Sequence, residues 1–309
     1  MLDKTFYSNG KLLITAEYLV LDGAKSLALP TKFGQNMVVE KISQPKLIWN
    51  SFNYQKKLWF SCTFNLPNLD IESSNQDLKI TKTLQNILKE AQKLTSITIG
   101  AFFLSNKNGF SIKTNLTFPN NWGLGTSSTL INNIAQWANI NAFELLKNSF
   151  GGSGYDIACA QNNKPITYQI INNKPKVEPV VFNPSFKYQL YFVYLNKKQN
   201  SKEAILNYQK NKDAIFAFAE EVSQITNAVT HTKKITDFEK LIIEHEKIIA
   251  SVIKQKPIQQ ELFAGYFGQT KSLGAWGGDF ILATGNKETP SYFKNKGFKT
   301  VIPYKDMIL

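Results

Sequence analysis

The 309-residue chain has no arginine, and its only cysteines are Cys62 and Cys159 and its only histidines His231 and His245. Two cysteines so far apart are too few for a disulfide framework and are not spaced as a metal site, so a reducing cytoplasm is the expected setting. Two histidines cannot supply a zinc cluster. Long apolar runs are also missing. The stretch Leu12 to Ile14 is soon followed by Glu17 and Asp22, and nothing approaches the roughly 18 apolar residues of a membrane span. Neither signal peptide nor anchor is expected. Without arginine every side-chain cation at neutral pH is a lysine, so an anion must be held by lysine, backbone N–H groups or a metal.

The net charge of +13 admits nucleic acid, membrane phosphate or a small polyanion as partner. A Lys- and Asn-rich composition with no partner behind it gives the same sum. The lysines are scattered, with pairs at Lys56–Lys57, Lys197–Lys198 and Lys233–Lys234, and no aromatics interleave with them as a stacking platform. Nucleic-acid and membrane partners are therefore not expected.

What is present is a 43% hydrophobic chain, able to bury a core as one large or two modest domains. Strands are predicted at Lys11–Thr15, Asn36–Lys41, Leu47–Trp49, Lys57–Phe64, Ile97–Leu104 and Phe110–Thr114. Leu84, Ile87, Leu88, Ala91 and Leu94 share one face, which predicts a helix over Thr81–Leu94. Further helices are expected at Ser127–Ala138, Ala142–Lys147, Ser201–His231 and Thr236–Lys254, with strands at Ile166–Ile171, Gln189–Leu195 and Phe280–Thr284. His245 falls on the apolar stripe of its helix and reads as a core residue. Pro175, Pro179 and Pro184 mark the expected domain boundary, near residue 183.

Glycine turns carry the chemistry. Gly123-Leu124-Gly125 runs into Thr126, Ser127 and Ser128 and then into a helix. Such a junction binds anions, because the first N–H groups of a helix have no partner within it and glycine lets a ligand approach the backbone. The hydroxyls can bond phosphate oxygens or reach Mg²⁺. A plain N-cap preceded by glycine is the alternative. It is not a Walker A motif, since no Gly-Lys-Ser/Thr follows at the required spacing.

Four segments together resemble the GHMP kinases: S-N-G-K-L-L-I-T-A-E-Y-L-V-L-D-G from Ser8, G-L-G-T-S-S from Gly123, G-S-G-Y-D-I-A from Gly152 and K-S-L-G-A-W-G-G-D from Lys271. Glu17-Tyr18, the Gly-Ser-Gly-x-Asp string and Asp279 are most similar to the phosphomevalonate kinase branch, with mevalonate kinase as the alternative. The G-Y-D-I-A string is similar to that of a bacterial subgroup of these kinases. The resemblance implies an α+β, two-domain GHMP kinase fold. Residues 1–183 would form the ribosomal S5 domain 2-like domain, and 184–309 a ferredoxin-like domain.

It further implies ATP and Mg²⁺ as cofactors, a small-molecule phosphoryl acceptor, and a monomer or homodimer. Lys11 and Asp156 would be catalytic. Gly123, Gly125, Thr126, Ser127, Ser128, Gly274, Gly277 and Gly278 would cradle the nucleotide. Ser127, Ser128 or Glu144 would hold the metal, although a solvated surface glutamate is the simpler reading of Glu144. Glu17, Tyr18, Ser153, Gly154 and Lys271 would meet the acceptor. This chain departs from the pattern at Asn9 and Ala16, where proline and glycine are usual. It also has Trp276 in place of a loop glycine and Trp122 in place of a small residue. Both indoles are expected to lie together beside the glycine loops. A catalytically silent nucleotide- or metabolite-binding protein and a basic nucleic-acid-binding module are the readings from other classes.

Overall fold

Alternation of buried and exposed side chains sets the strands that open the fold, in a computed structural model describing residues 4–100, 102–105, 108–197, 208, 215–276 and 278–309. In β3 (Lys46–Phe52) Leu47, Trp49 and Ser51 point inward, and in β4 (Leu58–Asn65) Phe60, Cys62 and Phe64 do so. Period-2 burial of this kind leaves one sheet face for helices to cover.

The chain condenses into two units, Met1–Gly10, Phe33–Asn120 and Gly125–Gln161 in the first, Lys11–Lys32, Asn121–Leu124 and Asn162–Leu309 in the second. In the first, β5 (Asp70–Ser74), β4, β3, β6 (Gly109–Leu116) and the later part of β2 (Ser26–Ile42) follow one another across a mixed sheet. The β3–β6 pair is parallel and its neighbours are antiparallel. Helices α1 (Leu78–Ile99), α2 (Thr126–Ala138), α3 (Ala142–Ser149) and α4 (Tyr155–Gln161) pack on one another. The core joins Trp49, Phe64 and Ile112 to Leu88, Ile131, Ile134 and Leu145.

In the second unit the start of β2 pairs with β7 (Ile166–Ile171), and β7 with β8 (Lys174–Pro179). A separate antiparallel sheet has the order β10 (Thr270–Ser272), β11 (Phe280–Thr284), β9 (Leu190–Tyr194), β12 (Val301–Pro303). Helices α5 (Ile215–His231) and α6 (Ile235–Ile253) pack together, and α6 and the short α7 (Ile258–Leu262) both pack against β10. The α+β class and the two sheets match the expected fold.

Two local expectations fail for identifiable reasons. Ile97–Ile99 belong to α1 rather than to a strand. The β-branched run Thr95–Ile99 suggested extension, but the Thr95 and Thr98 hydroxyls each bond a carbonyl one turn back, Ala91 O and Leu94 O, at 2.7 Å. Pro175 and Pro179 sit in β8, whose one partner in the sheet order is β7. An edge strand tolerates proline because its outer N–H groups have no ladder to complete. Most of the helix expected from Ser201 lies outside the described residues, and its later part is α5.

The inner face of α2 is polar and satisfied. Asn132 Nδ2 donates to Ser8 Oγ at 2.8 Å, and Asn132 Oδ1 accepts from Gln161 Nε2 at 3.0 Å. Ser8 Oγ donates to Asn133 Oδ1 at 2.7 Å, and Thr129 Oγ1 to Gln35 Oε1 at 2.8 Å. Asn132 and Asn133 are fully buried. Replacing one member strands its partners, so Asn132→Leu should cost about 1–3 kcal/mol of stability despite its similar volume. Urea unfolding measures this, and an unchanged midpoint would show that the network adds nothing.

Candidate functional site

The first unit presents the helix start. Gly125 caps α2 with φ 92°, a left-handed conformation that favours glycine, and no side chain caps the helix. The first helical bond runs from Thr129 N–H to Gly125 O at 2.9 Å. The N–H groups of Thr126, Ser127 and Ser128 therefore stand ahead of the helical ladder. Thr126 and Ser127 are partly exposed, whereas Ser128 is buried. This arrangement suits anionic oxygens.

Ser153 and Gly154 lead into α4, and Asp156 lies half-buried in its first turn. Helices α2 and α4 are in contact. Glu144 is exposed in the first turn of α3, with its N–H on Asn141 Oδ1 at 3.4 Å. No group of three His, Cys, Asp or Glu side chains fit to hold a metal ion occurs among the described residues. Mg²⁺ needs no such cage. It keeps waters and binds substrate phosphates with one or two protein oxygens, and the α2 hydroxyls fit that role.

In the second unit Lys11, Trp122, Gly123, Gly274, Asp279 and Phe280 line one shallow depression. The Lys11 N–H donates to Leu124 O at 3.0 Å, joining β1 (Lys4–Leu13) to the glycine turn. Gly123 has φ 67°, and a Cβ there would overlap the Asp279 carboxylate. Asp279 itself holds φ 53°. Its N–H donates to Lys197 O at 2.6 Å and its carbonyl accepts from Leu195 N–H at 2.8 Å, so its backbone is fixed on both sides. Burial raises Tyr194, and the Asp279 charge raises it further. Gly278 is buried, and Gly277 lies outside the described residues.

The two tryptophans differ. Trp122 packs edge-on against Phe280, with ring centres 5.4 Å apart, and lines the depression. Trp276 does not line it. It is 4% exposed, its backbone N–H donates to the Tyr18 hydroxyl at 3.3 Å, and its Nε1 is buried without a hydrogen-bond partner among the described residues.

Glu17, Tyr18 and Lys271 come together in a buried cluster that the sequence did not foretell. The side chains of Glu17, Lys271 and His245 are all fully buried. Lys271 Nζ donates to Glu17 Oε1 and, at 2.8 Å, to Ser272 O. Glu246 Oε1 accepts from Ser272 Oγ at 3.0 Å, from Ser272 N–H at 3.2 Å and from Ile258 N–H at 3.3 Å. His245 Nε2 accepts the Ala16 N–H at 2.8 Å, which places the ring proton on Nδ1, and Glu17 Oε2 lies 3.4 Å from that same Nε2. The early signal on this helix was His245, which falls on its apolar stripe.

Protonation follows from burial. One ammonium faces two carboxylates. Desolvation pushes Glu17 up to about 7, against the pull of Lys271, and likewise raises Glu246. Desolvation and Lys271 hold His245 well below its ordinary range. Burial also pushes the Tyr18 phenol up to about 12.

Because the Glu17 pKa is raised on folding, its contribution to stability is complete below the ordinary 4.5 and is lost as pH rises through about 7. The depressed His245 acts in the opposite sense, its contribution being present above its ordinary 6.5 and lost as pH falls. Comparison with Glu17→Gln isolates the carboxyl. The stability of this variant minus that of the wild type should rise between pH 5 and 8, by up to about 3 kcal/mol in urea unfolding. A constant difference would mean that Glu17 stays ionised throughout.

No protein-family model matches the sequence, and no curated protein matches it by sequence. Solved structures do match its fold. Mevalonate kinase of Methanococcus jannaschii superposes with a TM-score of 0.70 at 18% identity, over 97% of this chain and 96% of that one. Phosphomevalonate kinase of Streptococcus pneumoniae, in complex with phosphomevalonate and AMPPNP, gives 0.67 at 14%, over 95% of each chain. Lactococcus lactis galactokinase, complexed with galactose, gives 0.69 at 13%, over 95% of this chain and 88% of that one. With both sheets, the helix start and the glycine loops placed as described, the chain has the two-domain α+β fold of the GHMP kinases.

Proposed function

We propose that the protein is an ATP-dependent kinase of a small hydroxylated metabolite, with phosphomevalonate as acceptor and mevalonate as the alternative. The observation that carries this reading is the start of α2, with its left-handed Gly125, three hydroxyl residues in the first turn and no side-chain cap. The choice of acceptor rests on Glu17-Tyr18 and Asp279, the features this sequence shares with the phosphomevalonate kinase branch.

ATP supplies the γ-phosphoryl group, and Mg²⁺ offsets the charge on its oxygens. The N–H groups and hydroxyls of Thr126, Ser127 and Ser128 hold anionic oxygens. Ser127, the more exposed serine, would be the better metal contact, and Glu144, exposed on α3, the weaker candidate. Asp156 takes the proton of the acceptor hydroxyl as that oxygen bonds phosphorus and the bond to the ADP oxygen breaks. Lys11 balances the charge on the transferring group, and Gly123 and Gly274, on the lining of the depression, let a ligand approach the backbone. Ser153 and Gly154 shape the acceptor side. Glu17, Tyr18 and Lys271 are each less than a tenth exposed, so they act on the acceptor through the backbone they hold. A protein that binds nucleotide without transfer is the second reading, favoured by the indole of Trp122, which lines the depression beside Gly123.

Coupled ADP release over a panel of mevalonate, phosphomevalonate, homoserine, sugars and sugar phosphates tests the reading. Asp156→Asn should lower turnover at least about 10²-fold, and unchanged turnover would remove Asp156 from the mechanism. Turnover of mevalonate but not phosphomevalonate would reverse the acceptor assignment. Binding of AMPPNP with no ADP release on any acceptor would favour the silent reading.

Lysine meets phosphate as a point charge, without the bidentate fork of arginine. The affinity for phosphomevalonate should therefore weaken with added salt more steeply than that for mevalonate. Equal salt slopes in the same assay would count against a phosphate-binding acceptor pocket.

A further inference from the structure

Ala16 and Tyr18 both hold left-handed backbone, with φ of 68° and 64°. Side chains other than glycine adopt this region rarely, and such positions persist where their surroundings over-determine them. The tripeptide is fixed three times. Ala16 N–H donates to His245 on α6, the Glu17 carboxyl meets Lys271 on β10, and the Tyr18 hydroxyl accepts the N–H of Trp276 just beyond β10. Both ends of this arrangement run into the depression. Lys11 lies five residues before Ala16, and Leu273 and Gly274 lie two and three residues after Lys271 and line the depression together with Lys11.

We propose that Glu17, Lys271 and His245 form a proton-dependent brace that sets the loop 273–276 against β1, which makes them positioning residues for the depression lined by Lys11. The proposed kinase activity enters only in what the depression would bind. The brace does not rest on it.

The asymmetry of the Glu17 carboxyl is the working part. Oε1 is tied to Lys271, while Oε2 faces an Nε2 whose lone pair already accepts the Ala16 N–H. A protonated Oε2 can share that lone pair with the Ala16 N–H as a second donor. An ionised one is repelled by it and drawn toward the ammonium, so loss of the proton shifts Glu17 from α6 toward β10. Lys271 faces it from β10, and His245 and Glu246 from α6. The Tyr18 phenol is its chain neighbour, and the Asp279 charge reaches that phenol. Trp276, buried and bonded to Tyr18, is the natural reporter.

The test is the fluorescence difference between the wild type and Trp276→Phe, followed from pH 5.5 to 8.5. The wild type should show a single transition near the Glu17 value of about 7, and Glu17→Gln with its own Trp276→Phe control should show none. A flat wild-type difference overturns the brace, as does the same transition in Glu17→Gln. Should Glu17→Gln not fold, hydrogen exchange of the wild-type Ser272 and Trp276 amides decides instead. Their protection, corrected for intrinsic rate, must change through the same pH range, and constant protection overturns the proposal.

AMPPNP titration separates the brace from the kinase reading. Its affinity should change at least about fivefold across the transition in the wild type. An affinity that ignores the transition overturns the positioning role. A clear transition with no AMPPNP binding at any pH would sink the nucleotide reading and sustain the brace.

Discussion

A lysine with no exposed side-chain surface must be given a counter-charge or lose its proton, because an uncompensated charge in the interior costs several kcal/mol even after relaxation. Lys271 meets that demand with Glu17, from the opposite end of the sequence. Everything around the pair follows from it. Glu246 is a second carboxyl within reach of the same ammonium, so one of the two carboxyls must take a proton or find other donors. Glu246 finds them in Ser272 and the Ile258 N–H, and burial raises Glu17 to about 7, so that it carries the counter-charge of Lys271 above that pH and a proton below it. The neutral His245 then completes the shell as an acceptor for the backbone. The pair is thus less a source of stability than a constraint on where the first motif and the third glycine loop can lie.

A chain without arginine handles anions by another route. Planar bidentate contacts are not available to it, so geometry must come from the backbone. The start of α2 supplies that geometry. Gly125 turns the chain, no side chain occupies the N–H groups, and a satisfied polar face of Ser8, Asn132, Asn133 and Gln35 fixes the helix at its inner side. A more usual apolar face would hold the helix as firmly, but would not register it residue by residue, since hydrophobic contact has no direction.

Much of this was legible in the sequence where the physics is local. The apolar face of α1 at Leu84, Ile87, Leu88, Ala91 and Leu94 is buried as its period requires, β7 and β11 fall at Ile166–Ile171 and Phe280–Thr284, and His245 is a core residue. The glycine turns announced a helix start behind a left-handed glycine, because both are written in neighbouring residues. What could not be read was set by partners far away. Nothing near Glu17 reveals Lys271, which is 254 residues distant, nor that Ala16 N–H ends on His245. Pro175 and Pro179 lie in the strand β8, which local sequence could not show, because an edge strand and a linker look alike until the partner strand is known. Trp276 misled because a large aromatic in a glycine loop can point outward to a ligand or inward to the fold, and local sequence does not choose between them.

The depression lined by Lys11 carries its own argument about what it can accept. Lys11 supplies one cation, and Asp279 places a carboxylate on the same lining, held there by its backbone bonds and by a glycine that leaves room for it. A balanced pair of charges does not attract a polyanion as a row of lysines would. It suits a group that is both donor and acceptor, which describes a hydroxyl better than a phosphate. A phosphate on a ligand would then rely on backbone N–H groups for most of its contacts, with Lys11 left to balance the one group beside the hydroxyl. A carboxylate beside Lys11 would therefore select which end of a ligand faces it, by repulsion as much as by attraction.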